Sequence, residues 1–419
     1  MTAPGTVETP VQFRALARLV PSPKEFASAP PDRPAVWSMP AAPLTGLLDL
    51  DGIDRILRDG LPADRVRVVR RGENVPESEY TWGGRPIERP FSGDVRPGAL
   101  SALLEEGSTV VLDALHRYWR PVGDFGRRLA HEVGLPVFAT GFLTPPGRTG
   151  FPFHHDERGN FLIQTVGSKV WRVREPLLAD PLTHETSATH SPTAEQLARF
   201  EREPATLETR LRPGDVLWIP RGWLHSGTAT EEPSVHVTVG FVPMLTRYWL
   251  AGELVRLLAS PDEEFTGFRR ELPWGLHREP DRLAATVSEV LGELLAALPR
   301  LDARGLAEEV ALSVRRSYPE PDRSPAAALG ARVDEATRVV LVNESLFDAE
   351  RLPDGRLRLR LSDTALTLGG PAADFVAERW ERDDEQPWCA GDMPSAVGGA
   401  AAVSVVRTLL RAGVVRRSP

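Results

Sequence analysis

The chain has 419 residues and a formal net charge of -8, and it is 41% hydrophobic and 26% charged. That length exceeds one ordinary core and calls for two or three domains, one of them large enough to bury a cofactor site, in a composition typical of soluble globular proteins. The acidic balance gives no general attraction for nucleic acid, and no apolar run approaches the roughly 18 residues of a membrane span.

The N-terminus lacks a basic-then-apolar leader, so a cytoplasmic location is expected. The single cysteine, Cys389, excludes an internal disulfide and a thiolate cluster, which leaves any metal to histidine and carboxylate. Lysine occurs only at Lys24 and Lys169 among the 50 cationic residues, so a lysine inside an apolar segment calls for a chemical reason.

The first forty residues are rich in Pro and Ala, with one short amphipathic stretch over Val11–Val20. A helix is expected over Asp51–Asp59, a strand over Arg65–Val69 and a short helix over Pro97–Glu106. Then come short runs rich in β-branched and aromatic residues: Thr109–Leu112, Val137–Thr144, Phe161–Thr165, Lys169–Val173, Val216–Ile219 and Val235–Val242, with a helix over Val122–Val133. Val166-Gly167-Ser168 reads as a tight connection, making Asn160–Arg174 a hairpin, and residues 174–210 read as a long polar insertion. Many short strands without βα alternation argue for a barrel or jelly roll.

After Pro243 the periodicity becomes helical, over Leu245–Leu258, Arg282–Leu298 and Leu306–Ser317, and a Pro-rich stretch, Pro319–Pro325, closes this region. The last segment carries strands over Arg356–Leu361 and Ala365–Leu368 and helices near Ala372–Glu381 and Val403–Ala412. This combination suggests a winged-helix-like module. Its helices are not notably basic, so protein contact or packing is expected of it and direct DNA binding is not.

The chemistry concentrates in His154-His155-Asp156 and in Pro220-Arg221-Gly222-Trp223-Leu224-His225. On a strand, residues two apart share a face, so His154 and Asp156 converge while His155 points away, and His225, just past the end of an apolar strand, is placed to join them. Two imidazoles and one carboxylate form the ligand set that favours a redox-active Fe(II) with open positions. Taken singly, His154 and His225 read as ordinary polar loop residues; the joint pattern argues for a metal. His116, His131, His184, His190 and His277 lack comparable partners and read as structural or exposed.

The segments TPPGRTGFPFHHDERGNFLIQTVGSKVWRV, LRPGDVLWIPRGWLHSGTA and SVHVTVGF resemble the JmjC-domain 2-oxoglutarate oxygenases of the cupin fold, in the ribosomal-oxygenase branch, over roughly residues 95–243. The resemblance implies a mixed α+β chain. Residues 1–94 would pack on a double-stranded β-helix core at 95–243, followed by a helical dimerisation domain at 244–325 and a winged-helix-like domain at 326–419. It also implies Fe(II) held by His154, Asp156 and His225, with Lys169 pairing with the distal carboxylate of 2-oxoglutarate and one metal position left for O2.

A buried ammonium needs such a partner, although a lysine at a strand edge can also extend its head to water. Thr140, Ser234 and His236 are expected near the cosubstrate, with a hydrogen-bonded core role equally open to His236. Trp171, Trp218 and Trp223 are expected in the core or the pocket wall. Relatives often carry Asn and Tyr where this chain has Thr140 and Phe142, and an acidic residue at Gly159, so the substrate assignment transfers less well than the metal assignment.

Three functions remain open at this stage. The first is hydroxylation of a protein side chain, plausibly ribosomal, by a homodimer; the second is the same chemistry on a peptide or small-molecule natural product. The third is a cupin-type binding or regulatory protein without turnover.

Overall fold

The computed structural model describes residues 13–82, 94–242, 246–258, 266–318, 333–342, 348–361, 364–382 and 386–418. The chain divides into two compact units, one comprising 1–242 with 319–419 and the other 243–318.

The first unit is organised around two antiparallel sheets. Its strands are β1 (Ala35–Ser38), β2 (Val66–Arg70), β3 (Glu73–Asn74), β4 (Thr109–Leu112), β5 (Val137–Thr144), β6 (Asn160–Val166), β7 (Lys169–Arg174), β8 (Leu207–Leu211), β9 (Asp215–Ile219), β10 (Leu224–Ala229) and β11 (Ser234–Phe241). Eight form one sheet in the order β1-β9-β6-β11-β5-β4-β2-β3, and three form the other, β10-β7-β8. Every pairing is antiparallel. Leu162, Trp171, Val173, Leu211, Leu217, Ile219 and Trp223 interlock between the sheets as one buried cluster. The chain thus has the expected mixed fold with a jelly-roll core.

The hairpin expected over Asn160–Arg174 does not form. β6 pairs with β9 and β11, whereas β7 pairs with β10 and β8, so the chain changes sheet at Gly167. Gly167 has φ +59°, and a Cβ there would sit 2.1 Å from the Pro233 carbonyl oxygen, so only glycine turns this corner. A short Gly-containing link serves a sheet-to-sheet crossing as well as a hairpin, and burial of both apolar strands against a shared interior favours the crossing. Residues 174–210 are likewise more ordered than a polar insertion. They contain the helix Ala194–Arg202, opened by a reciprocal Thr193–Gln196 cap, and strand β8.

Several contacts fasten the N-terminal segment to the core. The helix Arg120–Val133 starts with Pro121 in its first turn and ends at Gly134 in the left-handed conformation. Its buried Glu132 accepts backbone N–H bonds from Arg14, Ala15 and Leu16 at 2.7, 2.7 and 2.8 Å. β1 pairs with β9, and the indoles of Trp218 and Trp223 donate to the carbonyls of Pro31 and Asp32. Of the stretch expected over Val11–Val20, Val11 and Gln12 lie outside the described residues, and Leu16–Arg18 forms a 3-10 turn.

The C-terminal part of this unit pairs β12 (Val339–Leu341) with β16 (Val415–Arg417) and builds a three-stranded sheet from β13 (Asp348–Arg351), β14 (Leu357–Arg360) and β15 (Ala365–Leu368). Helices Gly370–Glu381 and Gly399–Ala412 bury Phe375, Val376, Val406 and Leu409 in its core. Arg358 and Arg360 face Glu350, and Arg356 faces Asp354, so carboxylates balance this basic run. The second unit contains the helices Arg247–Leu258, Pro280–Ala297 and Ala303–Arg316. The Pro-rich stretch 319–325 and residue 245 lie outside the described residues. Among the described residues no helix is long and apolar enough to cross a membrane.

Candidate metal and cosubstrate site

His154 and His225 meet through their backbones. His154 lies outside any strand and forms an isolated antiparallel bridge with His225 on β10: its N–H donates to the His225 carbonyl at 3.2 Å, and the His225 N–H returns a bond of 2.8 Å. The strand alternation expected over 154–156 is therefore not what positions Asp156. That residue lies in irregular chain just past the bridge. Its carbonyl accepts from the Gly222 N–H at 2.8 Å, and its carboxylate Oδ2 accepts from Asn160 Nδ2 at 2.6 Å. Proximity to His225 thus comes from a bridge, a turn and a side-chain tether. His155 does point away: its backbone N–H donates to Ser187 Oγ, and its Nε2 lies 2.9 Å from the Glu185 carbonyl.

Donor atoms of His154, Asp156 and His225 all lie within 4.8 Å of one another. The imidazole Nδ1 of His154 is 2.9 Å from the Pro152 carbonyl, and that of His225 is 3.1 Å from the Trp223 carbonyl. A carbonyl only accepts, so each Nδ1 carries a proton and Nε2 is the ring atom left to hold a metal. Burial, reinforced by the neighbouring His154, pushes the His225 pKa down to about 4. Its 3.6 Å approach to Asp156 is therefore an approach of two donors and not an ion pair. Two imidazoles and a carboxylate converging at this distance fit a divalent metal.

These groups line a cavity of about 630 Å³. Thr140 and Phe142 of β5, Lys169 and Trp171 of β7, His225 and Gly227 of β10, and His236 and Thr238 of β11 face it, so both sheets contribute. Lys169 is 2% exposed, and burial pushes its ammonium down to about 7. Its hydrogen bond runs to Thr144 Oγ1 at 3.1 Å, and no carboxylate pairs with it among the described residues. Packing against Gly227 leaves no room for more: a Cβ there would sit 2.9 Å from Lys169 Cε.

The other residues expected at the site divide. Thr140 and His236 line the cavity. The imidazole of His236 stacks on Phe142 with ring centroids 4.5 Å apart, burial holds it well below the usual pKa, and its Nδ1 has no hydrogen-bond partner. Ser234 lies off the lining, and its Oγ accepts from Gln164 Nε2. Trp171, Trp218 and Trp223 are buried. Gly159 backs onto Trp218, where a Cβ would come within 2.3 Å of the indole, so no acidic side chain fits.

Sequence reasoning did not single out Asn160, Thr144 or the pair formed by Arg67 and Asp113, which also lines the cavity. A polar residue opening the apolar run Phe161–Ile163 was the available signal for Asn160. Thr144 and the Arg67–Asp113 pair carried no such signal, since their roles arise from pairing across strands.

Comparison with known proteins agrees with this architecture. The JmjC domain family matches residues 125–247. Ribosomal oxygenase 1 of Homo sapiens is 30% identical over 232 residues, which is 54% of this chain and 34% of that protein. The bifunctional lysine-specific demethylase and histidyl-hydroxylase NO66 of Culex quinquefasciatus is 27% identical over 239 residues, 55% of this chain and 34% of that protein. The chain thus spans about a third of the length of these relatives. The crystal structure of Escherichia coli ycfD matches 96% of this chain and 99% of its own at a TM-score of 0.51 and 18% identity, showing a shared fold. Residues 125–247 thus match the JmjC domain, and the wider segment around them is similar to ribosomal oxygenases.

Proposed function

We propose that the chain is an Fe(II)- and 2-oxoglutarate-dependent dioxygenase that hydroxylates a protein side chain, with a ribosomal protein as substrate. The observation that carries this reading is the pairing, in one cavity, of the cluster His154, Asp156 and His225 with a buried ammonium, Lys169, that has no carboxylate of its own. A dianionic keto acid satisfies both ends at once. Its distal carboxylate would pair with Lys169 beside Thr144, and its keto-acid end would complete the metal's coordination. When bound, the metal would supply redox chemistry by which O2 is consumed, one oxygen atom going to succinate as 2-oxoglutarate loses CO2 and the other to a substrate C–H bond.

The protein's own share is positional. His154 and His225 would hold the metal as neutral ligands, and Asp156 would neutralise part of its charge. Phe142, Trp171 and His236 pack on one another along the cavity wall, where they would help to exclude water once substrate is bound. Thr140 and His236 are proposed to contact the cosubstrate, with Ser234 supporting from behind through Gln164. The names of the relatives, ribosomal oxygenase and histidyl-hydroxylase, support a protein substrate.

We further propose a cytoplasmic homodimer formed through residues 244–325, with 326–419 as a winged-helix-like packing module. Leu291, Leu295 and Trp274 of the helical unit are exposed in the single chain and support that reading. The test of the activity is succinate release that requires both Fe(II) and 2-oxoglutarate, together with mass spectrometry of ribosomal proteins from wild-type and deletion cells. One ribosomal protein lighter by a single oxygen in the deletion strain is expected; succinate release without any such change would redirect the search to a peptide or small molecule.

A further inference from the structure

The Asp156 carboxylate has an anchor of its own. Unlike His225, which lies on β10, Asp156 lies in irregular chain, and its side chain is 35% exposed. A carboxylate so placed would ordinarily sample several rotamers. Here Oδ2, the oxygen 3.6 Å from His225 Nε2, accepts a 2.6 Å hydrogen bond from Asn160 Nδ2. Asn160 can hold that atom in place because it is itself fixed. It is 2% exposed, opens β6, and pairs through its backbone with Ile219 on one side and Gly240 on the other. Gly240 makes room for its amide, since a Cβ there would lie 2.3 Å from Asn160 Oδ1.

We infer that Asn160 is a positioning residue for the metal site, holding the Asp156 carboxylate in the rotamer that faces the two imidazoles. This rests on the proposed ligand set. The amide has a second effect, because an N–H donor on a carboxylate oxygen takes up one lone pair and leaves the other directed at the metal. Asn160 touches neither imidazole in any recorded hydrogen bond, so its influence passes through Asp156. Partners of metal ligands typically set affinity by about tenfold to a hundredfold, and that is the size expected here.

The test compares wild type, Asp156→Ala, Asn160→Val and Asn160→Ala as metal-free proteins titrated with Co(II). The readouts are the dissociation constant and the visible absorption of the bound ion, and the melting temperature without metal is measured alongside. Valine keeps a branched, strand-forming side chain without the amide, and alanine removes the amide with least disturbance. Wild type should bind one Co(II), and Asp156→Ala should bind it more than about a hundredfold more weakly. Both Asn160 variants should bind about tenfold to a hundredfold more weakly, with an altered absorption band and an unchanged metal-free melting temperature.

Co(II) bound by wild type, weakened in Asp156→Ala and unaffected in both Asn160 variants would overturn the role of Asn160 and leave the ligand set standing. Failure of wild type itself to bind would overturn both. Weaker binding accompanied by an equal fall in metal-free stability in both variants would reduce Asn160 to a structural residue and overturn the inference.

Discussion

The walls of the cavity and the long helix of the second unit treat apolar side chains in opposite ways. Along β6, Asn160–Thr165 are all buried, sandwiched between β9 and β11 within the sheet and facing β7 across the interior. Along Pro280–Ala297, only Ala297 is buried, while Leu291 and Leu295 remain 53% and 70% exposed. The jelly roll is closed by its own chain and can hold polar groups such as Lys169 and His236 away from water. The helical unit leaves a leucine stripe uncovered. One region buries its apolar side chains within the single chain, and the other leaves a stripe that the proposed dimer would cover.

The contrast breaks most sharply at the metal site. Asp156→Ala or His225→Ala should weaken metal binding by more than about a hundredfold and abolish succinate release, since losing a ligand exceeds losing a partner of a ligand. Far-ultraviolet circular dichroism should be unchanged, because alanine keeps the backbone hydrogen bonds that hold both positions. Retained turnover in either variant would remove the proposed ligand set.

Lys169 gives the next effect. Its folded pKa is about 7, against roughly 10.4 for an unperturbed lysine. Between those values the unfolded chain binds more protons, so the stability of the ligand-free protein should rise as pH increases through that window. Binding of a dianion requires the charged form, so 2-oxoglutarate affinity should fall above pH 7, by at most about tenfold per pH unit. Lys169→Met should abolish both trends in calorimetric titrations while leaving Co(II) binding intact. A pH-independent cosubstrate affinity in wild type would contradict the buried, uncompensated ammonium.

The helical unit is tested by Leu291→Glu with Leu295→Glu. If the stripe is a dimer interface, each leucine contributes roughly 1.5–3 kcal/mol of burial, so the dimer should dissociate at concentrations at least about tenfold higher than wild type. Sedimentation velocity reads this directly, and succinate release should persist. The smallest effect is expected at Gly227→Ala. The new methyl would crowd Lys169 Cε and the Trp171 ring, each 2.9 Å away, costing about 1–3 kcal/mol of cosubstrate affinity or stability, with metal binding preserved.

Legibility in the sequence followed the same division. β4 and β5 were legible to the residue, because both are runs rich in β-branched and aromatic residues bounded at each end by turn residues. The sheet change at Gly167 was not, since a local pattern records that a strand is buried and not which sheet buries it. The edge strands β1 and β8 escaped notice because half of each faces water and their polar residues resemble loop. The members of the site were legible as residue types at telling positions. Their convergence depends on the His154–His225 bridge and the Asn160 tether, contacts made by the fold between segments that share no local pattern.

The most direct test is metal-edge X-ray absorption on the Co(II)-loaded protein, with His154→Ala, Asp156→Ala and His225→Ala alongside. Two imidazole donors and one carboxylate oxygen per ion are expected in wild type, with one imidazole missing from any residual bound metal in each histidine variant. An unchanged coordination shell in all three variants, or a shell without imidazole in wild type, would show that His154, Asp156 and His225 do not share an ion.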